Sequence, residues 1–71
     1  MSKSTHTPTG QNFFVYKAAP LRTYLVGTFE NNTKALAYAK DCSIGDSVNV
    51  FSVVNANAVC VGKYRNSKYY I

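Results

Sequence analysis

The side chains of this chain best suited to chemistry are cations set among phenol rings. Lys63, Arg65 and Lys68 are interleaved with Tyr64, Tyr69 and Tyr70 near the end of the sequence. Lys34 and Lys40 bracket Tyr38, and Lys17 and Arg22 flank a Pro-containing break. Lysine and arginine neutralise phosphate, and a tyrosine ring stacks on an unpaired base. The same residue types anchor protein interfaces. Taken singly, each also fits a plainer role, a solubilising surface lysine or a tyrosine filling a sheet edge. The spacing predicts one contact patch from Lys63, Tyr64, Arg65, Lys68, Tyr69 and Tyr70, and a second from Lys34, Tyr38 and Lys40. No RNP aromatic motif, GxxG loop or zinc-finger spacing accompanies them.

Other chemistry lacks its parts. The acids are Glu30, Asp41 and Asp46, all beside the ends of a predicted helix, where capping and the helix dipole account for them. His6 is the single histidine and falls in a polar leading stretch. A nucleophile, a base and an orienting group do not assemble from these residues, so the reading is non-enzymatic, with no catalytic residues and no cofactor. Cys42 and Cys60 match no zinc spacing, and one histidine cannot complete a four-ligand site. They read as buried thiols acting as small apolar residues, with a bridge between them as the alternative.

The composition sets the scale. The chain has 71 residues, a net charge of +5, 46% hydrophobic and 15% charged residues, six Tyr, four Phe and no Trp. One domain fits this length, with about 60% of the unfolded surface buried and a small core. So many aromatics exclude a wholly disordered chain. No apolar run approaches the roughly 18 residues of a membrane span. Residues 1–11 are rich in Ser and Thr without an apolar segment, which predicts a flexible arm and a cytoplasmic protein, not a secretory leader.

Elements able to hold the cations follow from periodicity. Residues 12–17 and 21–29 read as strands that form a hairpin across Ala18 to Leu21, with Pro20 in the break. Asn32 or Thr33 supplies capping chemistry for a helix over 34–42, whose apolar stripe is Ala35, Leu36, Ala39 and Cys42. Lys34, Tyr38 and Asp41 take the opposite side. Gly45 suits a left-handed residue after the helix. Strands follow at 47–54, 58–64 and 68–71. The predicted fold is α+β: an antiparallel sheet of four to five strands in ββαββ order, with one helix on one face, in a single domain over 12–71.

The faces of the sheet depend on register. A three-residue turn at Asn55 to Asn57 pairs Val54 with Ala58. It groups Val48, Val50, Val54, Ala58, Cys60, Gly62 and Tyr64 on one face, and Phe51, Val53, Val59, Val61, Lys63 and Arg65 on the other. A two-residue turn slips the pairing by one. Either way both faces hold large apolar side chains and one helix covers only one. The remainder lies under the arm, in a homodimer, against another protein, or within a curled sheet.

A helix reading Thr33-Lys34-Ala35-Leu36-Ala37-Tyr38-Ala39-Lys40-Asp41-Cys42, a strand Val48-Asn49-Val50-Phe51-Ser52-Val53-Val54-Asn55, and an ending Gly62-Lys63-Tyr64-Arg65-Asn66-Ser67-Lys68-Tyr69-Tyr70 make a recognisable layout. It resembles small phage-encoded, single-helix, antiparallel-sheet anti-CRISPR inhibitors of type I surveillance complexes. The resemblance is one of pattern over roughly 13–71. It implies a phage-type inhibitor that occupies a surface of a host protein or ribonucleoprotein complex. Lys34, Lys40, Lys63 and Lys68 stand in elements comparable to those carrying that family's basic side chains. The alternative is nonspecific DNA or RNA binding through the Lys/Arg/Tyr surface. A third is a homo-oligomer joined through the second sheet face.

Overall fold

Most aromatic and β-branched runs become strands, although Val48 and Val59, expected in strands, lie in connections. The computed structural model describes residues 12–70; the expected arm over 1–11, with His6, and the final Ile71 lie outside the described residues. Strand β1 spans Phe13–Ala18, β2 Thr23–Phe29, β3 Val50–Asn55, β4 Cys60–Arg65 and β5 Lys68–Tyr70. One helix, α1, spans Asn32–Ser43 between β2 and β3. The fold is α+β in the expected ββαββ order, with β5 as a short fifth strand. All neighbouring strands are antiparallel, in the order β2-β1-β3-β4-β5.

The helix starts two residues earlier than expected. Asn31 is extended (φ −141°, ψ 161°), and its side-chain oxygen accepts the Lys34 N–H at 2.8 Å. That bond satisfies an orphan donor of the first turn, so Asn31, and not Asn32 or Thr33, is the cap. The chain leaves α1 through a type II turn over 43–46. Ile44 has φ −61° and ψ 124°, Gly45 has φ 78°, and the Asp46 N–H donates to the Ser43 carbonyl at 3.0 Å. Gly45 therefore takes the left-handed conformation expected of it.

Alanine on the buried stripe brings α1 close to the sheet. Ala35 and Ala39 are buried over Val15, Phe51 and Val53, and Leu36 and Cys42 pack beside them. The strands to either side give way beneath the larger helix side chains. A Cβ on Gly62 in β4 would lie 2.9 Å from Leu36 Cδ2 and 2.8 Å from Tyr69 Cε1. One on Gly27 in β2 would lie 3.1 Å from Tyr38 Cε2 and 3.0 Å from Phe29 Cε1. Each glycine follows a valine that is the extra residue of a β-bulge: Val26 in β2 and Val61 in β4. Both valines pack against the core. A bulge bends its strand and re-aims the extra side chain, so two Val-Gly pairs form the walls of the trough that seats the helix.

The β4 bulge settles the register that the sequence left open between two alternatives. Val54 pairs with Cys60, not Ala58, while Val53 pairs with Gly62 and Phe51 with Tyr64. Asn55 and Val59 close the turn over three residues, 56–58, one position later than expected. The Asn55 Oδ1 accepts the N–H groups of Asn57 at 2.9 Å and Val59 at 3.1 Å, and its own N–H donates to the Val59 carbonyl at 3.0 Å. Phe51 and Val53 therefore share the helix-covered face with Gly62 and Tyr64. Lys63 and Arg65, which the three-residue turn placed beside Phe51 and Val53, fall on the opposite face, as a slip by one places them. The cysteines are both free; Cys42 is half-buried but Cys60 is exposed, which corrects the expectation of two buried thiols.

Candidate functional site

Alternation along each strand sends every second side chain away from α1. Pairing across strands then lines these side chains into rows. One row reads Leu25, Tyr16, Ser52, Lys63 and Tyr70, from β2 across to β5. A second begins Thr23, Ala18 and Val50, and the same register carries it to Arg65 and Lys68. A third runs Thr28, Phe14, Val54 and Cys60. This face has no helix over it among the described residues. It contains rings, aliphatic groups and three cations, but no carboxylate. Glu30, Asp41 and Asp46 all lie in α1 or in the connections at its two ends.

The cations are crowded. Lys63 and Arg65 are two residues apart on β4, about 6.7 Å along the strand, and β5 lies about 4.8 Å to the side. Arg65 and Lys68 are directly opposite each other. Like charges in that position are destabilising. Among the described residues none of the three has a side-chain hydrogen-bond or ion-pair partner. Between them and Tyr70 lies a hollow of about 340 Å³, lined by Val50, Lys63, Arg65 and Tyr70.

The hairpin bearing these groups is held from the helix side. Its two-residue turn has positive φ at both centres, 50° at Asn66 and 62° at Ser67, the twist that suits a tight hairpin. The Asn66 N–H donates to the Asp46 carbonyl at 3.0 Å. The Ser67 N–H donates to Ser43 Oγ at 2.9 Å, and that hydroxyl donates to the Lys40 carbonyl at 2.8 Å. Ser43 is fully buried, so both ends of its hydroxyl must be used. The Asp46 carboxylate in turn accepts from the Asn49 N–H and Nδ2, both at 2.9 Å, and from the Val48 N–H at 3.1 Å. The Asn49 backbone bond, followed by the Asn49 side-chain bond, holds the Asp46 carboxyl below its ordinary value.

The anticipated C-terminal patch divides in two. Lys63, Arg65, Lys68 and Tyr70 come together on the open face. Tyr64 and Tyr69 point to the helix side, because each is out of phase with the cations next to it. Tyr64 packs against the core; its ring meets Tyr69 edge-on at 5.3 Å, and the Tyr69 hydroxyl donates to the Val61 carbonyl at 3.2 Å. The residues of the second patch are all exposed on α1. Lys34 and Lys40 are exposed near opposite ends of α1, while Tyr38 between them is a strut onto β2. Its hydroxyl donates to the Val26 carbonyl at 3.2 Å, and its ring lies 5.0 Å from that of Phe29. A hydrogen bond and charge interaction with Cys42, with some burial, raise the Tyr38 phenol above its ordinary value. Four members of the open face escaped the sequence reading of the site: Phe14, Tyr16, Leu25 and Val50. Their alternation was visible, but which side the helix would cover was not.

No known protein family, curated protein or solved structure matches the chain.

Proposed function

We propose that this protein is a non-enzymatic binding module whose sheet face opposite α1 takes up nucleic acid. The observation that carries the reading is the cross-strand pair Arg65 and Lys68, joined by Lys63, on a face without an acid. A fold gains nothing by placing like charges opposite each other. A polyanion lying over them turns that repulsion into attraction and releases its own counterions. The rings of Phe14, Tyr16 and Tyr70 supply surfaces for bases beside the phosphate contacts. Affinity for an oligonucleotide should fall with salt, with a log–log slope of roughly −2 if three phosphates are contacted on a single strand. Each of Lys63→Ala, Arg65→Ala and Lys68→Ala should reduce that slope by about 0.7. A titration at several salt concentrations reads both. A slope near zero, or one indifferent to all three substitutions, contradicts the proposal.

One observation favours a second reading, the phage-type inhibitor of a host complex. Leu21 (95% exposed), Ile44 and Val48 are exposed apolar side chains in the connections at the same end of the sheet as Arg65 and Lys68. An apolar rim beside a basic patch suits a protein partner that itself holds nucleic acid. In that case Leu21→Ser with Val48→Ser abolishes binding to a type I surveillance complex and leaves oligonucleotide binding intact. Equal binding of wild type and variant to the complex removes this second reading.

A further inference from the structure

We infer that the hollow between β3, β4 and β5 seats one unpaired nucleotide, so that the module selects single strands over duplex. This rests on the nucleic-acid reading above and adds the ligand class. The hollow of about 340 Å³ is at the small end of ligand cavities, about 300–1,000 Å³, room for one nucleotide and not for a helix. Its chemistry is divided as a nucleotide is divided. Val50 and the Tyr70 ring offer apolar and π surface, while Lys63 and Arg65 offer an ammonium and a guanidinium. Tyr70 is 47% exposed and stands directly across from Lys63, so a base stacked on the ring brings its phosphate to the cations.

The rest of the face argues for the same partner. Tyr16 lies in the same row as Tyr70, with Ser52 and Lys63 between them, and Phe14 is one row away on β1. A duplex keeps the flat faces of its bases inside the stack and presents phosphates and groove edges. These rings and Leu25 would meet nothing complementary on it. An unpaired strand presents both phosphates and base faces, the combination this surface displays.

The test is fluorescence anisotropy at low salt with labelled oligo(dT) and oligo(rU) of roughly a dozen nucleotides, and with a blunt duplex of the same length. The two single strands share base and phosphodiester and differ in the sugar, so their ratio reports whether the 2′-hydroxyl is read. Single strands should bind at least about tenfold more tightly than duplex, and Tyr70→Ala should lose about tenfold on single strands without changing the salt slope. Tyr70→Phe should retain affinity. Tyr69→Phe, altered on the helix side, should be unchanged. Duplex bound as tightly as single strands, or full affinity in Tyr70→Ala, overturns this inference and leaves the general nucleic-acid reading standing. No binding to any of the three probes overturns both.

Discussion

Ser43 shows how one side chain decides where the cations stand. A serine near the end of a helix ordinarily bonds back to the preceding turn, and this one donates to the Lys40 carbonyl. Buried as it is, its oxygen also receives the Ser67 N–H. Ser67 itself sits at φ 62°, a conformation that costs a residue with a Cβ about 1 kcal/mol or more. The two serines therefore pull stability in opposite directions. Ser43→Ala should destabilise the fold by about 0.5–1.5 kcal/mol, since it removes both hydrogen bonds of the latch. Ser67→Gly should stabilise it by about 0.5–1 kcal/mol, because glycine reaches positive φ without strain and the backbone N–H is kept. Chemical denaturation of both variants checks the signs, and amide exchange at Ser67 should quicken in the first. An unchanged midpoint for Ser43→Ala would mean the latch carries no stability.

At the scale of elements, the connection from α1 to β3 is the piece that links helix, sheet and hairpin. Asp46 uses its carboxylate to fix Val48 and Asn49, and its carbonyl to hold Asn66. Its folded pKa is lowered, chiefly by the Asn49 N–H and then by the Asn49 amide. A carboxyl held below its unfolded value stabilises the fold above that unfolded value, and the contribution is lost as pH falls through the folded pKa. Thermal melts taken from neutral pH down through the carboxylate range should show that acid loss. Asp46→Asn should flatten it, since an amide oxygen accepts the same backbone bonds without titrating. An identical acid limb in the variant would assign the loss to other groups. The β-bulges act at this scale too. Glycines inside strands were visible in the sequence as Gly27 and Gly62. What they accommodate, Tyr38 and Leu36 pressing down from the helix, became visible only when the helix was seated.

For the whole molecule, the division of charge is the main result. Lys34, Lys40 and all three acids belong to the helix layer and its connections, while Lys63, Arg65 and Lys68 share the acid-free face. A net charge of +5 attracts a polyanion from any direction, but the face opposite α1 sets three cations beside the rings of Tyr16 and Tyr70. Lys34→Ala with Lys40→Ala should therefore change oligonucleotide affinity by no more than about twofold, against a larger loss for Lys63→Ala with Lys68→Ala. Titration of both double variants compares them directly. A greater loss from the helix pair would place the interface on the helix side.

Local physics was enough for much of this protein. Period-two runs of aromatic and β-branched residues announced the strands, an Ala-rich stripe announced one helix lying close to a sheet, and Gly45 announced its exit. The basic and phenolic character of the C-terminal hairpin needed no structure either. Which of those side chains stand together was a tertiary matter. One extra residue at Val61 puts Gly62 and Tyr64 beside Val53 and Phe51 and sends Lys63 and Arg65 to the other face, because strand side chains alternate with a period of two and a bulge shifts the phase. Tyr69 and Tyr70 are neighbours in sequence, yet one braces the helix side and the other lines the hollow. Strand order set the remainder: β1 lies between β2 and β3, which places Tyr16 in the row of Lys63 and Tyr70, a proximity between distant segments that no local pattern encodes.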